Sequence, residues 1–600
     1  MQWKCIASRV TLPALFVVLA GCAAGRHPAP PLPQTTRSGD EPLHVRILAF
    51  NDLHGNLEPP HLAIAAPGPD RTTIRVPAGG VAYLADAIAR LKAGNPYHAV
   101  VSAGDLIGAS PLVSALFLDE PTIEAVNAIG IDFNTVGNHE FDKGEKELLR
   151  MQNGGCARYT ARRPCALDGR FAGARFRFLA ANIFKRDGTT LFPATGIKTF
   201  GSGARQVRVG FIGVTLKGTP HMVMPDGVAD LVFRDEARTA NALVPRLKAQ
   251  GADAIVLLIH QGGITSGGYD DHGCPDLRGE IVPILEHLDP AIDVVVSGHT
   301  HRAYICDFGR YDASKPFLLT SAGRYGTLLT DIELTIDPRA HKVVAKSADN
   351  LIVQDDGYVD GDGVRIAPSD AYPRYKPDTR VQAIVARYEA AATPLAAHPV
   401  GRVTASLPHA PAPSGESVLG DLIADAQLAA TAAPARGGAQ IALMNPGGVR
   451  ADIPVPPGGG AVTYGALFRA QPFGNRLVVK SLRGAQLRAL LERQFPREPA
   501  AGMPPRVLSP SRGFTYAYDM RRAPGARVFD LRLHGVPLRD DAIYRVTVNS
   551  FLAEGGDGFT LLRQAATAAN GMQDIDALAA YLRRRAPLVP PLPDRIRRVD

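Results

Sequence analysis

The chain has 600 residues and a formal net charge of +8, a length that predicts several domains and a charge that is mild once spread over it. The basic residues are scattered, with no stripe interleaved with aromatics, so no nucleic-acid polymer is expected as a partner, whereas a small anionic substrate is compatible with the balance. After residue 20 no apolar run is long enough to span a bilayer as a helix, and no protein partner is inferable.

At the start, Lys4 and Arg9 flank a segment that is apolar from Val10 to Ala20 and closes in Leu19-Ala20-Gly21-Cys22. A positive segment, a short apolar one and small residues before a cysteine make a bacterial lipoprotein signal. Residues 1–21 are therefore expected to be removed and Cys22 to carry the lipid, with 22–42, rich in Pro, Ser and Thr, as an extended spacer. That predicts an exported protein, lipid-anchored to the cell envelope and facing the periplasm or the cell exterior. Without Lys4 and Arg9 the charge falls to +6; without Cys5 and a lipidated Cys22, four cysteines remain, Cys156, Cys165, Cys274 and Cys306. In an oxidising compartment these suggest two disulfides. Three pairings are possible; closeness along the chain favours Cys156 with Cys165, leaving Cys274 with Cys306.

Residues 43–353 alternate short β-branched runs with stretches of helical spacing. Val45–Phe50, Ala99–Ser102, Phe133–Val136, Val207–Val214, Ala254–Ile259 and Ile292–Val296 read as buried strands, and Val81–Lys92, Thr122–Ile129 and Asp235–Gln250 as helices. The alternation predicts a layered α/β fold. Gly154–Arg175 is a Gly- and Arg-rich insertion with a cysteine pair, expected to be a surface loop. In 354–398 a polar stretch gives way to Val381, Ile384, Val385 and Tyr388 at helical spacing, which predicts a helix linking two bodies. Within 399–600, Ala439–Met444, Leu477–Lys480 and Tyr544–Asn549 read as strands, and Leu419–Thr431 and Gly484–Gln494 as helices.

In the first body, polar residues stand at the end of one apolar run after another. Asp52 and His54 follow Phe50, Asp105 follows Ser102 in Gly104-Asp105, and Asn138, His139 and Asp142 follow Val136 in Gly137-Asn138-His139-Glu140-Phe141-Asp142. His260 ends the run from Ala254, and His299 and His301 follow Val296 in Gly298-His299-Thr300-His301. In α/β sheets, binding residues gather beyond the carboxyl ends of strands. Any one of these motifs arises by chance; five in this order point to a metal centre. Imidazole and carboxylate without thiolate suit Zn, Mn, Fe or Co, and a single Asp can bridge two divalent ions.

This order of motifs resembles the calcineurin-like metallophosphatases, whose fold is a four-layer α/β domain. The resemblance implies two divalent ions of the Mn, Zn, Co, Fe or Mg group. Asp52, His54, Asp105 and His301 would hold one ion, and Asp105, Asn138, His260 and His299 the other, with Asp105 bridging. His139 would contact the phosphoryl group or leaving oxygen, oriented by Asp142.

Asn445-Pro446-Gly447-Gly448-Val449-Arg450, Gln471-Pro472-Phe473-Gly474-Asn475 and the run from Asn549 to Phe559, together with Gly415–Ala426, resemble the smaller α/β C-terminal substrate-binding domain of bacterial 5'-nucleotidases and UDP-sugar hydrolases. By that resemblance Phe473 and Phe551 would sandwich a base, Asp557 would contact the ribose and Asn445 the base. Arg450 would contact the phosphate, and Gly448 would belong to the substrate turn. Two departures bear on those contacts: Ser414 stands where many members carry a further phosphate-binding Arg, and Pro446 replaces a small residue. The expected activity is two-metal hydrolysis of nucleoside 5'-phosphates outside the cytoplasm. UDP-sugars, 2',3'-cyclic nucleotides and thiosulfonate esters are the alternatives. A catalytically inactive surface-binding lipoprotein is the alternative of another class, opposed by the complete set of ligand residues.

Overall fold

In the strand Leu43–Phe50 successive side chains point to opposite faces, and each face packs against a different layer. Leu43, Val45, Ile47 and Ala49 join one apolar cluster; Leu48 and Phe50 join another. The structure, a computed structural model, describes residues 41–600 apart from 71, 161, 361–362 and 496–505. The signal, Cys22 and most of the spacer lie outside the described residues.

Leu43–Phe50 sits inside a six-stranded sheet ordered Lys342–Ile352, Leu328–Asp337, Leu43–Phe50, His98–Ser102, Phe133–Thr135, Arg177–Leu179. A second six-stranded sheet runs Ala303–Asp307, Leu318–Ala322, Val294–Ser297, Ala254–His260, Val207–Thr215, Thr195–Phe200. The two sheets bury Val45, Ile47, Val101, Phe211, Val256 and Leu258 against one another. On the outer face of the first sheet lie helices Val81–Gly94 and Glu120–Ile129; on that of the second, where Ile255, Leu257 and Ile259 point, lie Glu236–Ala249 and Ile281–His287. Helix, sheet, sheet and helix make four layers. Each fully buried Ile or Leu here contributes about 1.5–3 kcal/mol.

Three departures from the sequence expectation are local. Ile292 is not yet strand: its N–H closes a turn onto Asp289, and the strand begins at Val294. The antiparallel strands after Ala303 and the hairpin Leu62–Pro67/Thr73–Ala78 were absent from that reading, because partly exposed strands lack a continuous apolar run. The insertion from Gly154 to Arg175 has no regular element among its described residues, yet it is anchored, with Cys165 and Phe171 buried in the core.

Thr379–Ala396 is the linking helix, capped by Asp378, whose carboxylate accepts the N–H groups of Arg380 and Val381. Its Val381, Val385 and Tyr388 are buried against the first lobe, and the Tyr388 hydroxyl donates to Glu124. The second lobe holds a five-stranded sheet ordered Ser509–Pro510, Ile441–Met444, Ile543–Asn549, Arg476–Arg483, Ala566–Gln573. Ile441 and Leu443 face one apolar cluster, Ala442 and Met444 the other. Leu112 and Ala115 of the first lobe join the second cluster, so that Glu41–Asp600 holds together as one unit.

Candidate active site and metal centre

Strands ending at Phe50 and Ser102 are parallel neighbours, as are those ending at His260 and Ser297, so their carboxyl ends open on the same side. The chain must curl sharply there. Asp52, His54, Asp105, His299 and His301 all have φ between 47° and 72°, a left-handed conformation that costs about 1–2 kcal/mol for a residue with a side chain. Such strain persists where surrounding structure over-determines it and gathers at functional sites. The neighbouring glycines are needed for close approach: a Cβ on Gly104 would come within 2.6 Å of the His260 ring, and one on Gly137 would strike Asp105.

Two groups of donors result, Asp52 with His54 and His301, and Asp105 with His260 and His299. His54 Nε2 lies 3.0 Å from His301 Nε2, and His301 Nε2 lies 3.3 Å from Asp52 Oδ1. Asp105 Oδ2 is 3.0 Å from His260 Nε2 and 3.6 Å from His54 Nε2, so this one carboxylate reaches both groups. Asn138 Oδ1 lies 3.1 Å from His299 Nδ1 on the second side. His54 Nδ1 and His260 Nδ1 donate to the carbonyls of Gly108 and Ala103 at 2.9 and 2.8 Å, which leaves each Nε2 facing inward toward the carboxylates.

Electrostatics match that geometry. Burial alone would raise Asp105, but the charges of His260 and His139 hold it below the usual carboxylate range, and Asp52 is held down against burial by His301. Burial pushes His299 down to about 3 and His301 to about 4, so both are neutral donors. His260, against the opposing effect of burial, is pushed up to about 10 by Asp105. Two buried carboxylates, the neutral imidazoles of His299 and His301 and the buried Nε2 of His260 beside Asp105 form a donor set that fits a pair of divalent cations.

His139 lies beside this floor. Its Nδ1 is 3.0 Å from both carboxylate oxygens of Asp142, and its backbone N–H donates to Asp105 at 2.9 Å. Burial lowers its pKa, but Asp142 and Asp105 outweigh it and raise the ring above its ordinary value. Glu140, to which the sequence reading gave no role, accepts the N–H groups of Asp105, Leu106 and Gly137 at 2.9, 2.8 and 2.6 Å. It ties the two loops that carry Asp105 and Asn138.

Above the floor the second lobe closes a cleft. Asn138, His139, Asp142 and His299 line one side, and Asn445, Gly448, Arg450, Phe473, Phe551 and Asp557 line the other. Phe473 stacks on His139 with ring centroids 5.8 Å apart, and the Arg450 guanidinium lies 5.9 Å over Phe473. Arg450 also lowers the proton affinity of His139 and His301, which puts its charge at the metal end. Asn445 gives its amide N–H to Asp557 at 2.8 Å and accepts from Asn549 at 2.9 Å. The structure thus gathers every described site residue expected from the sequence, apart from the cysteines, into one region. Sequence reasoning missed Met222, Met224 and Arg506 in the cleft wall; none stands in a motif, and they meet only through lobe packing.

A family model for the calcineurin-like phosphoesterases matches residues 45–303, and one for the 5'-nucleotidase C-terminal domain matches residues 399–564. The chain belongs to the 5'-nucleotidase family. It is 26% identical over 621 residues to the Probable 5'-nucleotidase of Treponema pallidum, an alignment that covers 91% of this chain and 93% of that protein. It is 31% identical to Endonuclease YhcR of Bacillus subtilis over 90% of its own length, but spans only 40% of that protein. A crystal structure of a 5'-nucleotidase precursor from Thermus thermophilus matches with a TM-score of 0.70 and 26% identity, covering 93% of this chain and 100% of that one. This 5'-nucleotidase family member is a metal-dependent phosphoester hydrolase.

The two departures from the family pattern have structural explanations. Ser414 is buried, and its hydroxyl donates to Glu416 at 3.0 Å, so its side chain brings no charge to the cleft. Pro446 opens the short turn Pro446–Gly448, where its fixed φ suits the first position. Cys156 is bonded to Cys165, and Cys274 to Cys306.

Proposed function

We propose that this phosphoesterase hydrolyses nucleoside 5'-phosphates outside the cytoplasm, anchored by a lipid on Cys22. Asp52, His54, Asp105 and His301 would hold one divalent ion, and Asp105, Asn138, His260 and His299 the other. Bound ions of this kind supply water activation and neutralise charge on phosphoryl oxygens. The chain's own residues do the rest. Arg450, at the metal end of the cleft, orients the phosphate. His139, oriented by Asp142 and with its proton affinity raised by Asp142 and Asp105, gives its proton to the leaving 5'-oxygen. Phe473 and Phe551 offer their faces to the base, and Asp557 accepts from the ribose hydroxyls.

The observation that carries this reading is the single cleft shared by His139 and Arg450 with Phe473 and Phe551. A plain phosphomonoesterase needs the first pair and has no use for two half-buried rings in the same cleft. The two disulfides support export, since such bonds persist in oxidising compartments. Phosphate release from nucleoside 5'-phosphates, UDP-sugars, 2',3'-cyclic nucleotides and a small alkyl phosphate, each with Mn, Zn, Co and Mg, tests the proposal. Nucleoside 5'-phosphates should give the highest kcat/KM; equal rates on the alkyl phosphate would remove the nucleoside from the reading.

A further inference from the structure

Arg506 and Arg450 are the two cations that line the cleft among the described residues, and they stand apart in role. Arg450 faces the metal end, where its charge is felt by His139 and His301. Arg506 pairs with Asp557, its Nη1 3.1 Å from Oδ1, while the other carboxylate oxygen of Asp557 accepts from Asn445 at 2.8 Å. Asp557 itself is held in a left-handed turn with φ of 55°, so its carboxylate is presented by the backbone as well as by its partners.

The Arg506 side chain is 45% exposed and that of Asp557 13%. An ion pair so open to water is weakly held and exchanges partners readily. A guanidinium has five N–H donors in a fixed fork, and one contact to Asp557 leaves most of them for a ligand. A carboxylate alone at the sugar end would accept from ribose hydroxyls and repel a phosphate placed there. An adjacent arginine reverses that preference, as happens in dinucleotide folds, where an acidic residue reads a free ribose hydroxyl and a nearby Arg accommodates a ribose phosphate.

We infer that Arg506 makes the cleft accept nucleoside 5'-phosphates that carry a second phosphate on the ribose 2'- or 3'-oxygen. The inference rests on the proposed nucleotide reading of the cleft, with Asp557 at the ribose. Water attacks the 5'-phosphorus, the bond from phosphorus to the 5'-oxygen breaks, and that oxygen takes a proton. One inorganic phosphate leaves, and the nucleoside keeps its second phosphate, bound by Arg506.

The test compares adenosine 3',5'-bisphosphate with adenosine 5'-monophosphate, following phosphate release and the residual nucleotide, with a small alkyl phosphate as a third substrate. The metal-loaded wild-type protein should turn over the bisphosphate with kcat/KM within a few-fold of the monophosphate or better, leaving adenosine 3'-phosphate. Arg506→Ala should lower the bisphosphate-to-monophosphate ratio of kcat/KM by about tenfold or more, chiefly through KM, and Arg506→Lys should restore part of it. An equal loss on both nucleotides would show that Arg506 only positions Asp557 and would overturn the inference, as would a wild-type protein that rejects the bisphosphate. Turnover of the alkyl phosphate with neither nucleotide used would instead overturn the nucleotide reading itself, and the inference with it.

Discussion

The floor and the roof of the cleft are built by different physics. The floor is a set of buried carboxylates and imidazoles fixed at strand ends, five of them in a strained backbone conformation, with backbone carbonyls that orient His54 and His260. The roof is a set of half-buried rings and amides on turns of the other lobe, joined by single hydrogen bonds and a solvent-exposed ion pair. A strained and desolvated cluster tolerates little change, so its chemistry is narrow. A half-exposed wall can vary its contacts, so substrate choice is where family members are free to differ.

The sharpest way to break this contrast is at the carboxylate that reaches both donor groups. Asp105→Asn removes one negative charge from the point shared by His54 and His260 and should nearly abolish turnover while the fold survives. Near-wild-type activity in metal-replete buffer would show that Asp105 is not the shared ligand. Next comes His139→Ala, which should lower kcat by about a hundredfold or more, the scale of general-acid catalysis, with metal content retained. His260→Ala should lose metal; equal metal loss in the two variants would place His139 among the ligands.

On the roof, Phe551→Ala is a cleaner probe than Phe473→Ala, because Phe473 also stacks on His139. Loss of one stacking face should raise KM for nucleotides by roughly five- to a hundredfold, and far more than for a small alkyl phosphate. Equal changes on both substrates would make Phe551 a packing residue.

The smallest expected effect lies away from the cleft, in a buried cluster of the second lobe. Burial pushes the Asp421 carboxyl from 3.8 up to about 9, against the pull of Arg595 and with help from Glu416. Because the folded value is raised, its contribution to stability is complete below pH 4 and is lost progressively as pH rises toward 9. Asp421→Asn should therefore narrow the fall in Tm between pH 5 and pH 9, measured by thermal melting at both values. An unchanged fall would mean that Asp421 is not the group responsible.

The floor was legible in the sequence because each candidate ligand sits within a few residues of a buried strand, and local spacing alone placed Asp52 and His54 after Phe50, or His299 and His301 after Ser297. Glu140 lay in the same motif without a readable role, since its three N–H partners come from loops set by tertiary packing. The rings and Arg450 were legible only through resemblance. Arg506, Met222 and Met224 were not legible at all: Arg506 meets Asp557 51 residues further along the chain, the two methionines line the cleft where the lobes face each other, and no local pattern encodes either. The antiparallel strands Leu328–Asp337 and Lys342–Ile352 escaped for a related reason, being partly exposed and patterned by neighbours distant in sequence.

The most direct test of the link between floor and roof is a crystal structure of the protein loaded with manganese and a non-hydrolysable nucleoside 5'-phosphate analogue. Two anomalous peaks roughly 3.5–4 Å apart, on either side of Asp105, with the base between Phe473 and Phe551, are expected. A single peak, or a base bound outside that cleft, would contradict the two-metal nucleotidase reading.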